Sequence, residues 1–230
     1  MSDFDREYSQ SEHYFGEEPE AILIKFLGEI IPVYPVLDVG CGQGRNTFTI
    51  ARNETKPFRV LAIDPSKQAV ETVQQIADTE SLPIVTATLG FEDIDEKTLL
   101  QLTTSRTLSA VLLFGILQIL TRKTINQFIN KTYRLLAEDG LIFITTFSTE
   151  GPDFLRHQQT WELIGENSFR NPDDSDDLRT YFAPDEILKL LDQERFRVIH
   201  HREYLGPMHK HSENGSLHQH AMIELVAKRS

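Results

Sequence analysis

The stretch that most constrains this chain is Val36-Leu37-Asp38-Val39-Gly40-Cys41-Gly42-Gln43-Gly44-Arg45-Asn46. It reads as a buried strand that stops at a glycine-rich turn and then enters a helix. Glycines at alternate positions remove every Cβ from one side of the turn, so a ligand can approach the backbone N–H groups closely. Asp38 stands two residues before the first glycine. A second acid, Asp64, ends the next apolar run, Val60-Leu61-Ala62-Ile63, 24 residues after Gly40. That spacing fits one βαβ unit with a carboxylate placed to bind two ribose hydroxyls.

The acid beside the turn separates two cofactor classes. A nicotinamide dinucleotide turn needs G-x-G-x-x-G, and position 45 is Arg. Asp38 would also repel a pyrophosphate, whereas a cofactor carrying a sulfonium and an amino group would be attracted. On these residues the chain resembles the class I S-adenosylmethionine-dependent methyltransferases, whose first motif is commonly D-x-G-x-G-x-G. The resemblance runs over roughly residues 14–228 and is nearest to the small-molecule methyltransferases of the tellurite-resistance, thiopurine and quinone type. It implies S-adenosylmethionine as cofactor. Asp38, Gly40, Cys41, Gly42 and Gly44 would then hold its methionine part, and Gln43 and Asn46 would also be cofactor-binding. Asp64 would take both ribose hydroxyls, with Ile63 and Pro65 flanking the adenine. The family often has an Asp after the third strand, but here the segment is Thr88-Leu89-Gly90-Phe91-Glu92-Asp93. Adenine contact is therefore expected from backbone N–H groups of Leu89, Gly90 and Phe91 and from the Phe91 ring. Phe114, Gly115 and Gln118 match the stretch that lines the cofactor's sulfur side. Cys41 could alternatively be a reactive thiol at a helix N-terminus, but the nearby Asp38 opposes that, and a small packing residue is the expectation.

Alternating strands and helices predict a doubly wound parallel sheet. A helix is expected over 18–30, with Ile22, Leu23, Phe26, Leu27 and Ile30 on one stripe. Strands follow at 36–39, 59–63, 84–87, 108–114 and 141–147. A helix capped by Ser66 should bury Ala69, Val70, Val73 and Ile76, and another should span 124–137 up to Asp139-Gly140. A last helix opening at Pro184 and strands at 196–203 and 217–228 complete the order. By resemblance this is a seven-stranded, mainly parallel Rossmann-like methyltransferase sheet with an antiparallel last strand. The whole of 1–230 is expected to be one domain, with 1–30 as an N-terminal lid and helix. Residues 150–182 break the rhythm, with a helix over 154–163 and an acidic loop at 173–177. They follow the fifth strand, so they should cap the active site at the carboxyl edge, where open α/β sheets bind ligands. The acidic loop lacks the spaced ligands and glycine of a calcium loop.

A formal charge of −12 and no basic run argue against nucleic acid or anionic membrane as partner. No stretch approaches the roughly 18 apolar residues of a membrane helix. The N-terminal residues lack the apolar core of a signal peptide. The one cysteine excludes an intrachain disulfide. A cytoplasmic protein acting on a small molecule is the expectation; the oligomeric state is not legible.

Six of the eight histidines lie within 200–220. With Asn214-Gly215 as a two-residue hairpin turn, His218 would face His211 and His220 would face His209, all four on one face. Such a face could hold a metal, contribute a base, grip an anionic substrate, or be only a polar hairpin tip. No thiolate or H-E-x-x-H pattern supports zinc, and no metal is assigned. Methyl transfer from a sulfonium is an in-line displacement with a neutral leaving group, which explains why no catalytic triad is visible. The protein must exclude water, align the nucleophile and take its proton where necessary. Candidate bases are His209, His211, Tyr14 and Tyr181. The rival readings are a non-catalytic S-adenosylmethionine-binding or interaction protein and, more distantly, an NAD-dependent oxidoreductase.

Overall fold

Three short apolar runs make the centre of the sheet. In the computed structural model, β1 (Val36–Val39), β2 (Val60–Ile63) and β4 (Leu108–Phe114) are buried along almost their whole length. Strands covered on both faces belong in a parallel sheet flanked by helices. β1 pairs in parallel with β2 on one side and β4 on the other, and β3 (Ile84–Ala87) pairs in parallel with β2. With β5 (Leu136–Phe147), β9 (Phe196–Leu205) and β10 (Ala221–Arg229), the order is β3-β2-β1-β4-β5-β10-β9. The β9–β10 pair is antiparallel, so the expected antiparallel last strand is present. Between β5 and β9 lies a second sheet of β6 (Glu162–Gly165), β7 (Ser168–Asn171) and β8 (Asp174–Thr180), all antiparallel. The structure describes residues 8, 14, 16–56, 58–192, 194–208 and 219–230.

The chain forms two compact units, one of Met1–Leu112 with Leu135–Ile142 and the other of Leu113–Arg134 with Phe143–Ser230. The first holds α1 (Ala21–Phe26), α2 (Arg45–Ala51), α3 (Lys67–Glu80) and α4 (Glu96–Thr103). Ser66 caps α3 as expected, its hydroxyl accepting from the Ala69 N–H at 3.2 Å, and Ala69, Val70 and Val73 are buried. The second unit holds α5 (Arg122–Leu135, all but its last residue), α6 (Pro152–Thr160) and α7 (Glu186–Leu190).

Several expected elements differ. The helix expected over 18–30 is only α1 followed by a 3-10 turn, Leu27–Glu29. α5 ends at Leu135, because the backbone is already extended at Leu136 and turns at Asp139, whose φ is +60°. The acidic stretch at 173–177 is not a simple loop: β8 begins at Asp174, and Asn171 and Arg179 take Asp177 as partner. Pro184 does not open the last helix, which starts after Asp185, a left-handed residue with φ +57°. The predicted hairpin register also fails. β10 meets β9 with Ala221 opposite Leu205, and the Gly206 N–H bonds the His220 carbonyl at 2.8 Å. His220 therefore lies across from Gly206, not His209. His209, His211, His218 and the Asn214-Gly215 turn lie outside the described residues.

Candidate active site

In the first unit the glycine turn has the shape its sequence demands. Gly40, Gly42 and Gly44 all have positive φ, at +65°, +51° and +90°. A side chain at Gly44 would place Cβ 2.6 Å from the Phe48 ring, so this glycine lets α2 close against its own start. A Cβ at Gly42 would stand 3.2 Å from the Tyr8 hydroxyl. The turn is also tied to the second strand. The Cys41 N–H bonds the Ile63 carbonyl at 3.0 Å, and the Gly42 N–H donates to Asp64 Oδ2 at 3.0 Å. Asp64 Oδ1 accepts the Ser66 N–H at 2.8 Å.

Asp38 is 2% exposed, and its Oδ2 accepts from the Thr47 hydroxyl at 2.6 Å. Burial raises its carboxyl to about 6, against the lowering pull of Thr47 and Arg45, and Asp64 adds to the rise. Burial also pushes the Cys41 thiol well up, with Asp38 and Asp64 adding to it, so Cys41 is a packing residue and no reactive thiolate. Two buried carboxylates that disfavour each other at a Cβ-free turn suit a cationic ligand and oppose a pyrophosphate.

In the second unit, Gly115 follows β4 with φ +69°, and its N–H bonds Thr145 at 3.1 Å. Phe114 packs edge-on to Phe143 at 6.2 Å. Gln118 lies beside Gly115, and its Oε1 is buried with no hydrogen-bond partner among the described residues. A buried orphan acceptor is costly and marks a place for a donor. The same unit gathers aromatic and titratable side chains around α6. The Tyr181 hydroxyl bonds His157 Nδ1 at 2.9 Å, and His157 stacks on Trp161 at 3.9 Å. Burial, more than the neighbouring Arg156, lowers His157 to about 4, so its ring is neutral at physiological pH. His220 Nδ1 stands 2.5 Å from Asp153 Oδ2.

Residues 37–142 match a family model described as a methyltransferase domain. That match covers a little under half of the chain. Solved structures agree on the fold. TehB from Haemophilus influenzae is 18% identical with a TM-score of 0.67, over 92% of this chain and 63% of that one. This chain thus spans less than two thirds of TehB. A Burkholderia thailandensis 1,6-didemethyltoxoflavin-N1-methyltransferase, solved with S-adenosylhomocysteine, is 18% identical with a TM-score of 0.64, over 98% and 82%. A SAM-dependent methyltransferase from Anabaena variabilis is 16% identical with a TM-score of 0.67, over 99% and 93%. No curated protein sequence matches the chain.

The first unit brings together only part of the expected site. Asp38, Gly40, Cys41, Gly42, Gly44 and Asp64 converge on one turn. Gln43 and Asn46 are engaged with the N-terminal segment: Gln43 Oε1 accepts the Tyr14 N–H at 2.9 Å, and Asn46 Oδ1 accepts the Glu20 N–H at 2.9 Å. Ile63 is fully buried and Pro65 exposed. The expected adenine donors are partly spent, since the Leu89 N–H bonds the Ala87 carbonyl at 3.0 Å and the Gly90 N–H bonds Asp93 at 3.2 Å. Phe91 is 2% exposed and packs as core. Tyr181 is 2% exposed, and burial raises its hydroxyl well above the usual tyrosine value. Tyr14 packs edge-on to Tyr8 at 6.3 Å. Sequence reasoning missed Tyr8 against Gly42 and the Asp153–His220 pair, because neither lies within a local motif. The same holds for Asp185, His201 and Glu203, where His201 Nε2 meets Glu203 at 3.2 Å and the Asp185 N–H meets it at 2.9 Å. Among the described residues no helix is long and apolar enough to cross a membrane.

Proposed function

We propose that this methyltransferase domain uses S-adenosylmethionine to methylate a small-molecule acceptor by in-line displacement. The observation that carries the reading is the pairing of buried Asp38 and Asp64 with a turn whose three glycines all have positive φ. Bound there, S-adenosylmethionine supplies a methyl group activated by its sulfonium. Asp38 offers negative charge to the cofactor's amino group, and Asp64 offers its carboxylate to the ribose hydroxyls. Gly42 leaves the backbone open to close approach. The leaving sulfur is neutral and needs no acid, so the remaining protein tasks are alignment, exclusion of water and management of the acceptor's proton. A net charge of −12 favours a small acceptor over nucleic acid.

Calorimetry with S-adenosylhomocysteine and with NADH tests the cofactor. Binding of the first and not the second is expected; the reverse would replace this reading with an oxidoreductase. Asp64→Asn keeps the shape but removes the charge, and should weaken S-adenosylhomocysteine binding by about 2 kcal/mol. Unchanged affinity would remove Asp64 from the site. Labelled methyl transfer into an acceptor mixture then separates an enzyme from a cofactor-binding protein.

A further inference from the structure

One imidazole and two carboxylates of the second unit meet where the turn before α7 reaches β9. That strand is last in the sheet order. His201 and Glu203 stand two residues apart on it, which puts both side chains on one face. Asp185 joins them from the position before α7, where it holds a left-handed backbone with φ +57°. Asp tolerates that region better than most residues. The three are tied together. The Asp185 N–H donates to Glu203 Oε1 at 2.9 Å, and the same oxygen lies 3.2 Å from His201 Nε2. Asp185 Oδ1 lies 3.9 Å from His201 Nδ1, beyond hydrogen-bond reach. One ligand atom from each residue lies within 4.8 Å of the other two. His201 Nε2 is itself buried and makes no hydrogen bond among the described residues, although the Glu203 oxygen is near. That oxygen therefore stands off the line along which the ring nitrogen bonds. A buried imidazole nitrogen without a bond along that line is costly and marks a place for a partner.

We propose that His201, Asp185 and Glu203 bind a divalent cation of the zinc class. Neutral imidazole nitrogen and carboxylate oxygen are both zinc ligands, at about 2.0–2.2 Å. Two such atoms at tetrahedral angles around one ion stand roughly 3.3–3.6 Å apart. The 3.2 Å between His201 Nε2 and Glu203 Oε1 is close to that edge. Asp185 completes the set by a small inward swing, for which its side chain, 71% exposed, has the freedom. The two carboxylates offset the ion's charge. Arg122, which reaches the next residue, Glu186, is already paired there at 2.6 Å. The imidazole nitrogen selects against magnesium and calcium, which prefer all-oxygen sets. Three protein ligands leave the fourth position to water. Bound this way, the ion pins the start of α7 to β9.

This site is independent of the cofactor reading, and its tests use the untagged full chain, stripped by chelator, with zinc alone. Nitrogen-15 NMR of labelled histidine should show zinc moving the His201 ring signals, assigned by their loss in His201→Gln. Ring signals that zinc leaves in place would overturn the proposal. Calorimetry then compares zinc affinity between variants. Asp185→Asn keeps a residue that tolerates positive φ, and Glu203→Gln keeps an acceptor for the Asp185 N–H. Losing even an outer partner of a metal ligand costs about 10–100-fold in affinity. His201→Gln should therefore weaken zinc by ~10²-fold or more, and each carboxylate variant by at least ~10-fold. Asp185 is exposed, so Asp185→Asn carries the comparison should the other two variants lose their fold by circular dichroism. Wild-type protein that binds no zinc would overturn the proposal. So would zinc affinity unchanged in Asp185→Asn, since the ion would then be held by other histidines. Magnesium or calcium bound as tightly as zinc would overturn the assigned class of ion.

Discussion

At the scale of single residues, Asp38 sets stability against binding. Its carboxyl ionises near 6 in the folded protein against 3.8 for the ordinary group. Folding therefore favours the protonated acid. The resulting penalty is fully present above about pH 6 and is relieved as pH falls toward 4. A carboxyl that ionises about two pH units higher in the folded state than in the unfolded one loses about 3 kcal/mol of stability above both values. Asp38→Asn keeps an oxygen for the Thr47 hydroxyl and removes the buried charge. It should raise unfolding free energy at pH 8 by ~1–3 kcal/mol, a gain that shrinks by pH 4 in urea titrations. The same variant should bind S-adenosylhomocysteine more weakly, and wild-type affinity should fall as pH drops below about 6. A variant less stable than wild type at pH 8, or an affinity flat from pH 5 to 8, would contradict this account.

At the scale of elements, the strand-to-helix turn was legible because its constraints are local. Three positive-φ glycines and a following apolar stripe leave little else for 36–51 to become. Gly44 shows the tightness: any side chain there meets Phe48 at 2.6 Å and Val73 at 3.0 Å while holding φ at +90°. Gly44→Ala should therefore cost about 2–4 kcal/mol by urea unfolding. A loss under about 0.5 kcal/mol would mean that Phe48 has room to give. The region 161–180 was not legible for the opposite reason. Its charged stretch follows loop statistics, whereas its strands exist through pairing: Ser168 and Thr180 join hydroxyls at 2.9 Å, and Leu120 accepts from Thr180. The histidine register failed because the favoured Asn-Gly turn is only a local preference, and the β9–β10 ladder set a different alignment. The Asp153–His220 pair brings residues from two elements together, and no spacing rule announces such a contact.

At the scale of the whole molecule, the second unit is assembled from two separate stretches of chain, and Arg122 fastens one to the other. From the stretch 113–134 it pairs with Glu186 at 2.6 Å, donates to the carbonyls of Glu166 and Tyr181, and lies 4.5 Å over the Phe182 ring. Arg122→Met keeps the apolar stem and removes the donors. It should lower stability by about 2 kcal/mol, or roughly 5 °C in Tm. An unchanged Tm would show that the remaining contacts suffice. The same division of the chain bears on how the protein is made. The first unit is complete once Ile142 has left the ribosome, while the second has received only residues 113–134. Ile125, Phe128 and Ile129, buried in the finished fold, and Tyr133, which will pack on Phe196 at 5.6 Å, are already synthesised by then. At ordinary translation speeds the partners of that helix follow about ten seconds later. For that interval a nascent amphipathic helix presents its apolar stripe to solvent, and the order of the chain itself sets a demand for chaperone protection.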